Sequence, residues 1–194
     1  IFTSKQFVVG FWASNFLYAS FMGITLIVPL FIENIWGGTA LEAGLVLLPG
    51  TIAALFINPL AGYLTDRFHA RPVIVFFGAC LAFGSVAMAF MDASTPFWLI
   101  LLLQGIRACG VSGLVSPLTS WSMEELAPNR MTDASSFSTA IRQAIASMGT
   151  ALMVFSITLG AQAFGSLLFG FQLALGLSGV FALALFVIAL VRVR

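Results

Sequence analysis

The chain has 194 residues, 60% hydrophobic and 8% charged, with a mean hydropathy of +1.08. A soluble domain carries about 25% charged residues, so this composition excludes an ordinary water-soluble globule and makes the bilayer the natural solvent. The formal net charge of +1 excludes nucleic acid as a partner, because phosphate binding needs clustered Lys and Arg. Cys80 and Cys109 sit in apolar runs and read as small buried hydrophobes, not as a disulfide or metal pair. With a single His in the chain, no zinc-ligand spacing exists. No metal, cofactor or catalytic residue is predicted.

A membrane-spanning helix needs about 20 mostly apolar residues, and six windows meet that. The first covers about 7–32. Ahead of it, Thr3-Ser4-Lys5-Gln6 lacks signal-peptide character, and a start at Ile1 reads as a piece of a longer protein. Gly37-Gly38 follows, then Thr39 and Glu42 in capping-box spacing open the second span, about 41–65. Asp66 to Pro72 separates it from the third, about 72–91. Asp92-Ala93-Ser94-Thr95-Pro96 opens the fourth, about 97–121, with a hydroxyl cap and Pro expected in its first turn. The fifth and sixth cover about 134–159 and 167–191, and the break at Gly160 to Ser166 is the weakest of the set. The expected fold is therefore an all-α integral membrane domain of six helices.

Basic residues orient the chain. With both termini inside, the inner segments hold Lys5, Arg67, Arg71, Arg130, Arg192 and Arg194, and the outer loops hold none. That is the positive-inside pattern, with both termini cytoplasmic. Polar residues inside the spans are uneven. Asn15, Tyr18, Ser20 and Thr25 mark the first; Gln104, Arg107, Ser112 and Ser116 the fourth; Arg142, Gln143, Ser147 and Thr150 the fifth. The third and sixth carry almost none. Polar groups at membrane depth face protein or water, so the first, fourth and fifth spans should face an interior, and the third and sixth lipid. The repeating order fits two three-helix units. Gly105, Gly110, Gly113 and Pro117, and Gly44, Pro49, Gly50 and Pro59, read either as close-packing positions or as flexing points.

The stretch from Gly62 to Pro72 is the most informative. Asp66 falls at the C-terminal end of a helix, where the dipole disfavours a carboxylate. Arg67, Arg71 or a neighbouring helix N-terminus should offset it, and Gly62 one turn earlier should let another helix approach. The alternative is a solvated cytoplasmic loop. The pattern Gly-x-x-x-Asp-Arg-x-x-x-Arg resembles the loop signature of the major facilitator superfamily, with Ala70 in place of its second glycine and Pro72 in place of a basic position. Val28-Pro29-Leu30-Phe31-Ile32-Glu33, Ala40 to Leu45 with Leu48-Pro49-Gly50, and Asn58 to Gly62 are similar to the C-terminal half of fourteen-helix multidrug drug:proton antiporters. So are Ile141-Arg142-Gln143 and Ser147-Met148-Gly149. The resemblance implies one six-helix half of a proton-coupled efflux antiporter in the inner (plasma) membrane. Its remaining half, or a second copy, would supply the facing wall. A small amphiphilic substrate and protons would be its cargo. It also implies that Gly62, Asp66, Arg67 and Arg71 form a conformational latch, that the first and fourth spans line a central cavity, and that the second and fifth contact the other half.

Individual candidates follow. Arg107 lies about ten residues into its helix, ~15 Å deep at 1.5 Å per residue. It either meets an anionic group in the cavity, pairs structurally with a neighbouring helix, or snorkels outward. Asn15, Tyr18 and Gln104 are candidate cavity-lining residues or interhelical hydrogen-bonding groups. Arg142 and Gln143 are candidates for the interface between halves. No Asp or Glu lies in the middle of a span, so a proton-binding carboxylate is expected on the other half. A lipid or metabolite carrier and a non-transporting assembly protein are the alternatives. Gly110-Val111-Ser112-Gly113 matches the rhomboid protease pattern, but the only His, His69, precedes the serine in a cytoplasmic loop, which disfavours an intramembrane serine protease.

Overall fold

The computed structural model describes residues 4–126 and 128–193, and all of their regular structure is helical. Arg194, one of the six inner basic residues, lies outside this set. Helix α1 runs Lys5–Phe31, capped by Ser4, whose hydroxyl accepts from the Phe7 N–H. It widens into a π-turn at Ile32–Trp36 and stops at Gly37, whose φ of 76° suits a residue without Cβ. Then come α2 (Ala40–Leu45), α3 (Leu48–Phe68), α4 (Ala70–Met88), α5 (Phe97–Met123), α6 (Pro128–Ala163) and α7 (Leu167–Arg192). Six helical segments are long and apolar enough to cross a membrane, with α2 and α3 together forming one of them.

Packing reveals the internal repeat. Helix α1 lies against α6 and α7, while α5 lies against α3 and α4. The first helix of each three-helix unit thus packs on the second and third of the other unit. The pairs α1–α5 and α4–α7 close the middle. Small residues make these approaches possible, since van der Waals fit is what associates helices in lipid. A Cβ at Gly84 would come 2.8 Å from the Cβ of Arg107, and one at Gly110 would press on the Leu81 backbone. Further along the same seam, one at Gly113 would collide with the Phe77 ring. Gly149 sits against the Ala19 carbonyl between α6 and α1, and Gly160 against Gly170 between α6 and α7. Polar side chains tie the bundle where they are buried: Ser20 and Ser178 hydroxyls lie 2.8 Å apart between α1 and α7, and Gln172 Nε2 donates to the Met91 carbonyl at 3.0 Å.

Several expectations change. The second span is not one helix: it breaks at Val46–Leu47 and restarts at Leu48. Pro49 has no N–H to give the Leu45 carbonyl, and its ring crowds that oxygen. The capping box of Thr39 and Glu42 is present, the Thr39 hydroxyl accepting from Glu42 N–H and the Glu42 carboxylate accepting from Thr39 N–H. The hydroxyl cap expected on α5 is not: Pro96 itself is the N-cap residue, and Thr95 instead bonds back to Asp92. Helix α6 starts at Pro128, six residues before the expected 134, because Pro is pre-set for a first helical turn. Gly110, Gly113 and Gly50 are packing positions, whereas Gly44 and Gly62 meet open space among the described residues, so none of the described helices approaches at Gly62. The backbone that demands glycine lies at His69, not Ala70: His69 has φ 70° and ψ 159° where α3 turns into α4.

The largest departure concerns which helices are interior. Of each spanning window, 56% is buried in α1 and in α5 and 50% in α4, but only 22% in α6 and 11% in α2–α3. Helix α6 is therefore not interior within this chain, despite its polar residues. Helices α4 and α7 bury one face each, and their lipid-compatible side is a stripe. Phe76, Phe83 and Phe90 are exposed on and just beyond α4, as are Val180 and Val187 on α7.

Candidate functional site

Three places gather the polar residues. The first is an open groove of about 720 Å³ along α6, beside Met22 of α1. Gln143, Ser147, Thr150, Val154 and Thr158 line it at spacings of three or four residues, so they share one helix face. Ser147 and Thr150 donate to the carbonyls of Gln143 and Ala146 at 2.9 Å each, which hides their hydroxyl protons inside the helix. The Gln143 side chain remains exposed. A stripe of this kind is unsuited to lipid, because each polar group left in hydrocarbon costs free energy.

The second place lies where α1 begins, α5 ends and α6 begins. The Arg142 guanidinium sits 4.6 Å over the Tyr18 ring and donates from Nη2 to the Thr139 hydroxyl at 3.1 Å. Asn15 is 2% exposed, and its Nδ2 has no hydrogen-bond partner among the described residues; the buried Ser138 hydroxyl has none either. The structure thus brings Asn15 and Tyr18 together with Arg142, and turns Arg142 toward α1.

Arg107 and Gln104 lie elsewhere, in the packed centre. Arg107 is 1% exposed, which rules out snorkelling. Its Nη2 donates to the Phe21 carbonyl of α1 at 3.4 Å, its Nε is unpartnered, and Gly84 of α4 makes room for its backbone. Gln104, 5% exposed, keeps an unpartnered Oε1. Neither residue borders the grooves described in this section. No carboxylate among the described residues pairs with this buried cation.

The third place is the α3–α4 corner. Asp66 and Arg71 are exposed and border a groove of about 940 Å³ shared with His69, Glu124 and Glu125. Among the described residues Asp66 has neither an ion pair nor a hydrogen bond. Arg67 instead turns back along its own helix, donating from Nη1 to the Tyr63 hydroxyl at 2.9 Å and lying 5.6 Å over the Phe68 ring. Gly62 sits one turn earlier with nothing beside it. Ser112 of the protease-like pattern is buried in α5, while His69 is exposed at this corner. Sequence reasoning missed Ser14 in the first span and Ser135, Ser138 and Thr139 in the first turns of the fifth, because single hydroxyls can be satisfied within their own helix and carry little signal. Their spacing of three to four residues with Arg142 was the available signal.

A family model described as the Major Facilitator Superfamily matches residues 10–194. An MFS-type transporter of Bacillus subtilis, YhcA, is 33% identical over 135 residues, covering 70% of this chain and 25% of that protein. The probable multidrug resistance protein EmrY of Escherichia coli is 30% identical over 156 residues, 78% of this chain and 30% of the relative. This chain therefore spans between a quarter and about a third of the curated relatives it matches. The crystal structure of an auto-inhibited POT family peptide transporter superimposes with a TM-score of 0.75 over 96% of this chain and 37% of that one, at 19% identity, a likeness of fold alone.

Proposed function

The chain belongs to the Major Facilitator Superfamily, and from that premise we propose that it forms one six-helix half of a proton-coupled multidrug efflux antiporter working by alternating access. The observation that carries this reading is the uncovered polar stripe of α6 on a helix only 22% buried. Such a face needs protein or a water-filled path, and lipid supplies neither. The almost uncovered α3 needs a partner of the same extent. In this reading α3 and α6 meet the other half, or a second copy, and α1 and α5 present the cavity wall with Asn15 and Tyr18. The other half brings the proton-binding carboxylate, and a small amphiphilic substrate passes between the halves. Both termini are cytoplasmic and the membrane is the inner (plasma) membrane. Gly62, Asp66, Arg67 and Arg71 form a latch: the open space beside Gly62 and the unpaired Asp66 are what a contact with another half would fill. Similarity to a probable multidrug resistance protein favours an amphiphilic drug over a lipid or metabolite.

The test is efflux of a fluorescent cation such as ethidium from cells carrying the full-length protein, with and without a protonophore. Protonophore-sensitive efflux supports the reading. Efflux indistinguishable from vector-only cells overturns the drug assignment. Arg107→Ala should lower efflux at least tenfold at unchanged membrane abundance, since it empties a buried polar contact between α1 and α5. Efflux that survives intact would remove Arg107 from the transport machinery.

A further inference from the structure

The partly buried polar corner between α1, α5 and α6 has unmet hydrogen-bonding capacity and a charge without a counter-ion. Arg142 lies 14 residues into the 36-residue α6 and is half-buried. A guanidinium partly withdrawn from water needs compensation. The Tyr18 ring supplies part of it through the cation–π contact, and Thr139 accepts one of its N–H groups. Among the described residues no carboxylate borders the pocket it reaches. That pocket, about 40 Å³ and partly enclosed, is edged instead by Ser14, Asn15, Ser135, Ser138, Thr139 and Arg142. Two of these are built in without partners: Asn15 Nδ2, on a residue 2% exposed, and the Ser138 hydroxyl. Other hydroxyls there already bond inward, Thr119 to the Val115 carbonyl and Ser122 to the Thr119 carbonyl.

The Asn15 amide N–H is left over as a donor beside a cation, and the Ser138 hydroxyl is free to donate as well. Unpartnered buried donors are rare in native structures and point to a missing acceptor. One water needs roughly 10–15 Å³, so the pocket accepts a guest of only a few heavy atoms, smaller than any amphiphilic drug. A neutral water could accept from both donors but would leave the guanidinium unneutralised. A cation is disfavoured by Arg142 itself. An anion satisfies both demands, with charge-assisted bonds shorter and stronger than neutral ones.

We propose that this pocket is a binding site for a small monovalent anion, a halide or a single carboxylate group, held by Asn15, Ser138 and Arg142. The site stands apart from the cavity assigned to the amphiphilic substrate and does not depend on what that substrate is. An anion there would join two helices, α1 through Asn15 and α6 through Ser138 and Arg142, against the end of α5. It would steady the corner where α6 leans on α1 with only 22% of its own span covered.

The experiment uses the full-length protein in detergent. Its melting temperature and its retention of radioactive chloride are measured in sodium chloride, in sodium acetate, and in the sodium salt of the bulky sulfonate MES at matched ionic strength. Saturable stabilisation by chloride and acetate over MES is expected, together with chloride retention. Arg142→Gln should weaken anion affinity about tenfold or more and Ser138→Ala about two- to fivefold, while Arg142→Lys keeps the charge and part of the affinity. Should Arg142→Gln not accumulate folded, Asn15→Ala and Ser138→Ala carry the comparison. Stabilisation by acetate without chloride assigns the site to a carboxylate-bearing ligand. Curves that coincide in all three salts, with no chloride retained by the wild type, overturn the proposal and leave the pocket to water.

Discussion

His69 holds the left-handed backbone at the α3–α4 corner with φ 70°, where a β-carbon strains the chain by about 1–3 kcal/mol. His69→Gly should therefore raise the melting temperature of the full-length protein, part of the gain being offset by the freedom glycine adds to the unfolded chain. A lower melting temperature would show that the imidazole makes a contact worth more than the strain. Asp92 is a different kind of local device. It accepts from the Ser94 hydroxyl at 2.7 Å and N–H at 2.9 Å, and from the Thr95 hydroxyl at 3.2 Å. These bonds, those from Ser94 foremost, hold its carboxyl below the usual range. With the folded value the lower one, the turn's contribution is present at neutral pH and is lost as pH falls through the folded value. Asp92→Ala should lower the melting temperature at pH 7 and converge on the wild type in acid. A gap of constant size across pH would remove the carboxylate from the account.

Among the helices, glycine decides where backbones meet. Gly113 faces the Phe77 ring and Gly110 the Leu81 backbone, so Gly113→Leu should force α4 from α5 at a cost of about 1–3 kcal/mol or more. It should read as loss of monodisperse protein after heating. Gly44 meets open space, so Gly44→Ala should be neutral or stabilise by up to ~1 kcal/mol through helix propensity. Equal effects at the two sites would contradict the packing. The break at Val46–Leu47 has the same local origin as the kinks of other membrane helices, a proline without a donor. It frees α2, with its Thr39–Glu42 capping box, to pack beside the π-turn of α1.

At the scale of the molecule, the exposed apolar surface divides into two kinds. Phe83 on α4 is 62% exposed and Leu55 on α3 is 71% exposed, yet the proposed assembly gives them different neighbours, lipid and protein. Single cysteines placed at each in the full-length protein should separate them. A membrane-dissolved photoreactive thiol probe should label position 83 and spare position 55. Strong labelling at both would put α3 in lipid and end the half-to-half assignment of α3 and α6. The latch has its own measure: Asp66→Asn should slow transport with little change in substrate affinity. An affinity loss with unchanged rate would place Asp66 on the substrate path.

Six membrane-spanning segments in an all-helical domain were legible in the sequence alone. Apolar length and buried polarity are local demands that the bilayer enforces whatever the neighbours. The capping box of Thr39 and Glu42 belongs to that class. Tertiary structure alone decided the rest. Arg107 and Gln104 are buried between packed helices, whereas Asn15, Tyr18 and Arg142 meet at one corner with the overlooked Ser138. Of the three polar spans α1, α5 and α6, α6 is the one left largely uncovered. Periodicity tells which residues share a face of a helix, but which face finds a partner depends on how α1 and α5 cross between the two three-helix units, and that is a property of the packing.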